Sequence, residues 1–376
     1  QHEYWRVFGN MYLEILPIKN LTLRSNFGVN YYNEFSKTFV PAWQEGTRQV
    51  DTNELDTYHY HNINWVWTNT ANYLLDLGKH QTTFLVGMES KKYNTQDLKG
   101  YGRGLYSEDP NYRYLNSITN GAAVNGIGSK YSMVSYFGKI NYAYDSKYLL
   151  AATVRRDASS RFGKNNNSGV FPSVSAGWRI SSEKFMKNTH KWLDDLKLRA
   201  SWGINGNDEI DNEATYTKYL VSLANASYNT SGDNQTLAPG ANKTYTGNAN
   251  LKWEQTKQFN IGLDATLLDQ RLTATLDYFD KRTTDMLYQP PYAGVIGEGG
   301  YSWTNCISMN NKGFEFVLGW RDRLKSGFSY DISFNGSIYG NEIKSLPDAI
   351  YYTFGGGRPG QSIVGQAFGP WMGYKT

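Results

Sequence analysis

Apolar and polar side chains alternate along many segments of this chain. Between Leu196 and Asn205, apolar residues occupy every second position, and polar or small residues occupy the positions between them. Side chains of a β-strand point alternately to opposite faces, so this segment predicts a strand with one apolar and one polar face. The same alternation recurs at 21–31, 139–144, 258–267, 272–278, 313–320 and 328–338. Repeated strands of this kind, separated by turn residues, are typical of a membrane β-barrel.

The connections between these segments fall into two classes that alternate along the chain. Short ones lie at 17–20, 76–80, 145–147, 269–270 and 322–327. Long ones, rich in Gly, Asn, Ser and Tyr, lie at 37–56, 94–130, 207–250 and 289–310. Outer-membrane barrels have short periplasmic turns and long extracellular loops, so the pattern predicts about six hairpins, or about twelve strands. The break at 181–195 predicts a short helix on the periplasmic side.

The predicted fold class is therefore all-β, a transmembrane antiparallel β-barrel that occupies residues 1–376. A mean hydropathy of −0.59 agrees with this fold, because the lumen face and the loops are polar. Aromatic residues make up 15% of the chain, which favours interfacial girdles over the ordinary preference of sheets for aromatic residues. An open sheet in lipid exposes unpaired backbone groups, so we expect further strands of a larger barrel beyond this sequence.

Charge and motifs exclude several function classes. The net charge of +4 is spread along the chain without a basic block, so nucleic acid is not an expected partner. The single cysteine, Cys306, is predicted to lie in a Gly-rich loop, and it has no partner for an intrachain disulfide. No nucleophile, zinc-protease or phosphate-loop motif is present, so we expect neither an enzyme nor a bound cofactor. Counting carboxylates alone does not exclude a glycosidase pair.

Specific motifs carry a family resemblance over most of residues 130–376. Residues 136–163 read YFGKINYAYDSKYLLAATVRRDASSRFG, and FPSVSAGW follows at 171–178. Shorter matches are NLKWE at 250–254, NIGLD at 260–264, DYFDK at 277–281, NKGFE at 311–315 and GQAFG at 365–369. These segments closely resemble the SusC/RagA family of TonB-dependent outer-membrane transporters of the Bacteroidetes.

The resemblance implies a function for the whole protein. It implies a barrel of about 22 strands with an N-terminal plug. The plug and both ends of that barrel are expected to lie outside this sequence. It also implies a TonB complex acting on the plug, a SusD-like surface lipoprotein as a lid, and import of oligosaccharides or oligopeptides across the outer membrane. The polar residues Lys197, Arg199, Asn205, Asp264, Asp277 and Glu315 would then line the wall against the plug. The apolar rows would face lipid.

Two alternatives remain open at this point. A barrel with the same wall motifs can serve as a passive pore or as a structural component of an envelope assembly. A soluble all-β protein that binds or hydrolyses carbohydrate is the second alternative. Retention in the outer membrane and a heat-dependent shift on a gel separate a barrel from a soluble protein.

Candidate site residues fall into two groups in the predicted loops. Arg155, Arg156, Asp157 and Arg161 lie where a strand enters a loop, and we interpret them as a structural network of Arg–Asp pairs rather than as substrate contacts. Tyr292, Tyr301 and Trp303 lie among glycines, where flat rings can stack on sugars or pack against peptide side chains. Packing of one loop against another is the equal alternative for these three aromatic residues.

Two segments contain residues of the kinds that bind metals, but neither is favoured as a metal site. His59 and His61 share one face of a strand, a spacing that allows two imidazoles to bind one metal, with Asp56 as a possible third ligand. The segment 207–213 is acidic, but it lacks the spacing of an EF-hand, and a solvated loop is favoured over a calcium site. The prediction is that the chain holds no metal.

Overall fold

The computed structural model describes residues 1–229, 237–290, 302–346 and 364–368. Strands dominate these residues, as predicted. In chain order they are β1 (His2–Ile18), β2 (Leu21–Val40), β3 (Trp43–Glu45), β4 (Arg48–Val50), β5 (Glu54–Leu77), β6 (His80–Leu105), β7 (Ile118–Tyr144), β8 (Tyr148–Ser159), β9 (Ser168–Arg179), β10 (Leu193–Asn207), β11 (Lys218–Asn229), β12 (Leu237–Tyr245), β13 (Glu254–Leu267), β14 (Leu272–Tyr288), β15 (Thr304–Arg323) and β16 (Ser329–Ser345). None of the helices in the described ranges has the length and apolar character needed to cross a membrane.

Twelve of the strands form one sheet in the order β1-β2-β5-β6-β7-β8-β9-β10-β13-β14-β15-β16. The hairpins β3–β4 and β11–β12 form separate two-stranded sheets within the long connections. The order follows the chain apart from these two hairpins, which confirms a meander of twelve strands.

The chain divides into two compact units. The first comprises Gln1–Ile15, Leu23–Thr70 and Met88–Val134. The second comprises Leu16–Thr22, Ala71–Gly87 and Ser135–Thr376.

In the second unit, antiparallel registers align two rows of side chains across β10, β13, β14, β15 and β16. The apolar row is Ala200, Ile261, Tyr278, Phe314 and Ile338. The polar row, one position away on each strand, is Arg199, Gly262, Asp277, Glu315 and Ser337. The last four residues of the apolar row are between 40% and 75% exposed, so this face of the sheet lies open rather than against a second layer.

The short connections agree with the predictions. Tight turns link the strands at 19–20, 78–79, 145–147, 268–271 and 324–328. Several turn residues have a left-handed backbone, among them Asn20 with φ 68° and Asp145 with φ 52°. Asn and Asp tolerate this conformation better than most residues, which explains why they mark these turns. The break before β10 contains short helices of the 3₁₀ type at Ile180–Ser182 and Lys184–Thr189, where the sequence predicts a short helix.

The long connections are shorter than predicted, because strands extend into them. The loop predicted at 94–130 is wrong for most of its length, since β6 continues to Leu105 and β7 begins at Ile118. The placement of Cys306 in a loop is also wrong, since this residue lies in β15 and is half-buried. Backbone pairing needs no apolar alternation once both faces of a strand contact polar surroundings, so these extensions carry no periodic signal.

Candidate functional site

The polar row contains a cross-strand network of charged side chains. Arg199 Nε lies 2.7 Å from Asp264 Oδ2, and Arg199 Nη2 lies 2.9 Å from Asp264 Oδ1. The same Nη2 donates to Asp277 Oδ2 at 3.1 Å. The guanidinium therefore holds Asp264 in a two-pronged pair and reaches Asp277 two strands away, which is the geometry that Arg favours over Lys.

Gly262 makes this reach possible. It pairs with Arg199 on one side and with Asp277 on the other, so it lies directly under the bridge. A Cβ at this position would overlap Asp277 Oδ1 and would lie 2.7 Å from Arg199 Nη2. A side chain at Gly262 would therefore displace the far end of Asp277 or of Arg199 and disturb the network.

The remaining polar residues predicted to line the wall lie on the same strands. Lys197 is the register partner of Asp264, and Glu315 is that of Asp277. Asn205 pairs with Thr256 closer to the long connections. The structure thus places all six predicted lining residues on β10, β13, β14 and β15.

Arg155 lies in a second network at the end of β8. Its Nε donates to Asp157 Oδ1 at 2.7 Å, and its Nη2 donates to Ser135 Oγ at 2.8 Å. Its guanidinium also lies 5.4 Å from the centre of the Phe137 ring. Asp157 is buried, whereas the neighbouring Arg156 is exposed. The structure brings Arg155 and Asp157 together and leaves Arg156 at the surface.

Arg161 joins the β8–β9 connection to the connection that follows β10. Its Nε donates to Asn212 Oδ1 at 2.8 Å, and its Nη1 donates to the carbonyl oxygen of Asp208 at 2.9 Å. Ser159 Oγ donates to Asp208 Oδ2 at 2.7 Å. The acidic segment 207–213, expected to be solvated, therefore includes a buried carboxylate that holds the β8–β9 connection to the β10–β11 connection.

An aromatic cluster of Phe162, Phe171 and Trp253 lies beside this network. The Trp253 ring centre lies 5.3 Å from that of Phe162 and 5.2 Å from that of Phe171. Its indole Nε1 donates to the carbonyl oxygen of Asn167 at 3.1 Å. All three rings are less than a tenth exposed. All three residues fall within the family-like motifs, and large rings at or next to the connections are the sequence signal for this cluster.

Trp303 is the one predicted substrate contact within the described residues. Its indole Nε1 donates to Asp211 Oδ2 at 3.0 Å, and its carbonyl oxygen accepts from Asn248 Nδ2 at 3.0 Å. These bonds fasten Trp303 to the β10–β13 connection, which favours packing of one loop against another. Tyr292 and Tyr301 lie outside the described residues, and their role stays a prediction.

The histidine pair has other contacts. The rings of His59 and His61 lie 6.1 Å apart between centres, and Asn33 Nδ2 lies 3.1 Å from His59 Nε2. Asp56 forms an ion pair with Lys99 at 2.8 Å rather than joining the imidazoles. Over the described ranges, no group of three or more His, Cys, Asp or Glu residues is arranged to hold a metal ion.

At the opposite end of the strands, the Glu183 side chain forms hydrogen bonds that hold the connection between β9 and β10 in place. Its carboxylate accepts from the Tyr148 hydroxyl at 2.5 Å, from Trp178 Nε1 at 3.1 Å and from Lys147 Nζ at 3.3 Å. The Tyr148 hydrogen bond is the main cause that lowers the pKa of the Glu183 carboxyl, and the bonds from Trp178 and Lys147 act in the same direction. The ionised carboxylate is therefore the form that holds this connection.

Comparison with known proteins agrees with this architecture. A family model described as "TonB dependent receptor-like, beta-barrel" matches residues 4–371. The TonB-dependent receptor SusC of Bacteroides thetaiotaomicron is 32% identical over 346 residues, which cover 90% of this chain and 33% of that protein. The TonB-dependent receptor P3 of Formosa agariphila is 31% identical over 383 residues, which cover 98% of this chain and 36% of that protein.

Solved structures show the same fold. The RagAB peptide transporter structure superposes with a TM-score of 0.84 at 29% identity, covering 93% of this chain and 38% of that chain. The siderophore receptor PiuA from Acinetobacter baumannii, at 14% identity and a TM-score of 0.55, shares the fold alone. The predicted barrel fold and the resemblance to SusC and RagA are confirmed. The chain spans about a third of the length of the curated relatives it matches.

Proposed function

Because this chain belongs to the TonB-dependent receptor-like β-barrel family of the outer membrane, we propose that it forms part of the wall of an importer. The cargo is an oligosaccharide or an oligopeptide. Energy reaches the barrel through TonB acting on a plug, in a whole protein of about 22 strands. A SusD-like surface lipoprotein acts as the lid. The name of the RagAB peptide transporter supports peptides, and the similarity to SusC supports the same transporter class.

One observation carries the proposal, namely the two rows that five strands present on opposite faces. The apolar row is open and suits lipid, whereas the polar row contains the Arg199 network and suits an aqueous interior. An arginine that faces lipid at the bilayer midplane costs roughly 2–4 kcal/mol. Burial of the apolar row gains about 25 cal/mol for each square ångström removed from water. Both free-energy contributions favour a wall with its apolar row toward lipid and its polar row toward water.

The wall itself has no catalytic role in this proposal. The similar proteins are named as receptors or transporters. Asp264 and Asp277 of the polar face are hydrogen-bonded to Arg199, and Asp157 is hydrogen-bonded to Arg155. Carboxylates that are committed to arginine partners in this way are poor candidates for proton transfer to a substrate.

Uptake of a labelled oligosaccharide or oligopeptide in cells with and without TonB tests the proposal. We expect uptake in the wild-type cells and its loss without TonB. Equal amounts of protein in the outer membrane, checked by fractionation and by heat-dependent migration on a gel, provide the control. Uptake that continues unchanged without TonB would contradict the mechanism and favour a passive pore. The absence of uptake in both strains would favour a structural component.

A further inference from the structure

A cluster of tyrosines occupies one face of the first compact unit. Tyr4 on β1 lies 6.2 Å from Tyr32 on β2, measured between ring centres. Tyr32 lies 6.0 Å from Tyr60 on β5, and Tyr58 lies 6.4 Å from Tyr60 with the two ring planes only 10° apart. Tyr93 on β6 is a neighbour of Tyr60. We call these five residues the tyrosine row, which crosses four strands that are adjacent in the sheet.

The tyrosine row lies on the polar face. On β1 and β2, the positions in phase with Tyr4 and Tyr32 carry hydrogen-bonded polar pairs, namely Arg6 with Asn30 at 2.7 Å and Asn10 with Asn26 at 3.3 Å. The other face of the same strands carries separate aromatic contacts. Trp5 lies 5.7 Å from Tyr31, and Phe27 lies 6.2 Å from Trp65.

Because of this position, the tyrosine row differs from an interfacial girdle of aromatic residues. The aromatic girdles of outer-membrane barrels belong to the outward face, where rings meet lipid headgroups. Here the contacts of Trp5, Tyr31, Phe27 and Trp65 lie on the face opposite to the tyrosine row, because these residues are one position out of phase with it. The tyrosine row faces the other way, so contact with lipid does not explain it.

Acceptor groups surround the rings. The Tyr32 hydroxyl donates to Glu34 Oε2 at 2.8 Å, and Glu34 Oε1 lies 3.0 Å from His2 Nε2. The Tyr60 hydroxyl accepts from Asn62 Nδ2 at 3.3 Å. The carboxylates of Glu34 and Asp97 lie within electrostatic range of Tyr58. Charges of both signs lie on this face, because Arg6 is in phase with Tyr4 and the carboxylates of Glu34 and Asp97 lie near the other rings. A neutral ligand with hydroxyl groups suits these surroundings better than a strongly charged one.

We propose that the tyrosine row binds a neutral oligosaccharide on the lumenal wall. The proposal rests on the importer function above and selects one of its two substrate classes. Tyrosine rings offer flat apolar faces and a polar edge at little conformational cost, which suits the C–H faces and the hydroxyls of sugar rings. Pockets for small molecules combine apolar surface with a few convergent polar groups, and the tyrosine row with Glu34 has that composition.

Binding measurements on the full-length protein in detergent test the assignment. The probes are a panel of neutral oligosaccharides (α- and β-linked glucans, mannans and galactans), a sulfated oligosaccharide and a mixture of oligopeptides. We expect a neutral member of the panel to bind best. Tyr60→Ala should weaken that binding roughly tenfold, the equivalent of about 1.4 kcal/mol. Tyr60→Phe keeps the ring and should bind much more tightly than Tyr60→Ala.

The matched control is Tyr31→Ala, on the opposite face of β2, which should leave the affinity unchanged. Heat-dependent migration on a gel verifies that each variant retains a folded barrel. Preference for the peptides or the sulfated probe overturns the assignment, and so do failure of every neutral oligosaccharide to bind and equal effects of Tyr60→Ala and Tyr31→Ala. If TonB-dependent uptake persists in any of these cases, only the site is refuted. Loss of the TonB dependence refutes the proposed function instead.

Discussion

Replacement of Gly262 by alanine tests whether the polar network is as tightly fitted as its geometry indicates. The new Cβ would overlap Asp277 Oδ1 and approach Arg199 Nη2 to 2.7 Å. The guanidinium is anchored on its other side by its two bonds to Asp264, at 2.7 and 2.9 Å. Asp277 is therefore the partner that gives way. We expect the Arg199–Asp277 bond to break while the Arg199–Asp264 pair persists.

The size of the effect follows from two contributions. Forcing an extra methyl group into a filled site costs about 1–3 kcal/mol. A hydrogen bond between charged groups contributes about 1.5–3 kcal/mol when it is buried. The side chains of Arg199 and Asp277 are 33% and 25% exposed, so solvent screening lowers that contribution to about 1 kcal/mol. Breaking the bond relieves the steric overlap, so the two costs are not additive. We therefore expect Gly262→Ala to lower the free energy of unfolding by about 2 kcal/mol.

Unfolding of the full-length protein in urea, followed by tryptophan fluorescence, measures this loss. Gly28→Ala is the matched control, since a Cβ at Gly28 on β2 meets its nearest neighbour at 3.8 Å, an ordinary contact. A glycine replaced without strain gains about 0.4–1 kcal/mol through the unfolded chain, so the control should be neutral or slightly stabilising.

A double-mutant cycle identifies the contact responsible. In a protein that already carries Asp277→Ala, the overlap with the carboxylate is absent and only the contact with Arg199 remains, so Gly262→Ala should cost less than it does in the wild type. Equal stability of Gly262→Ala and Gly28→Ala would refute the reasoning. So would an undiminished effect of Gly262→Ala in the Asp277→Ala background.

Two further predictions concern the connections at the two ends of the strands. Trp253→Ala should destabilise the aromatic cluster by about 3–5 kcal/mol, seen as faster proteolysis of the long connections, whereas Trp253→Phe should have a smaller effect because a ring remains against Phe162 and Phe171. Glu183 contributes stability while ionised, because its pKa is lowered below the ordinary value of 4.5. That contribution should therefore be complete above pH 4.5 and should be lost as the pH falls through the lower pKa of the folded state. In acid unfolding experiments, the stability of the Glu183→Gln variant should depend less on pH than that of the wild type.

Strands β10, β13, β14, β15 and β16 of the second unit could be predicted from the sequence because each of them contains its own alternation. Leu196, Leu198 and Ala200 mark one face of β10 without reference to any other strand. Residues 94–105 extend β6 with polar side chains on both faces, and no local pattern separates such a strand from a loop.

The candidate site was harder to predict because its contacts join distant parts of the chain. Arg161 and Asn212 meet only because two connections fold over each other, and Trp253 reaches the carbonyl oxygen of Asn167 in the same way. The pair of Arg155 with Asp157 was predictable, since the two residues lie two apart on one strand. Arg156 falls between them on the opposite face, which alternation itself explains.

In the second unit, side chains on both faces of the sheet favour the register of β10, β13 and β14. A slip of one residue would move Arg199 to the face of Trp202 and would move Ile261 to that of Asp277. Arg199 would then lose both carboxylate partners and, if its new face met lipid as proposed, would cost roughly 2–4 kcal/mol. The polar network and the apolar row thus select the same pairing for opposite reasons. In the first unit, the tyrosine row lies on the same face as the hydrogen-bonded pairs of β1 and β2, which is the basis for the ligand proposed there.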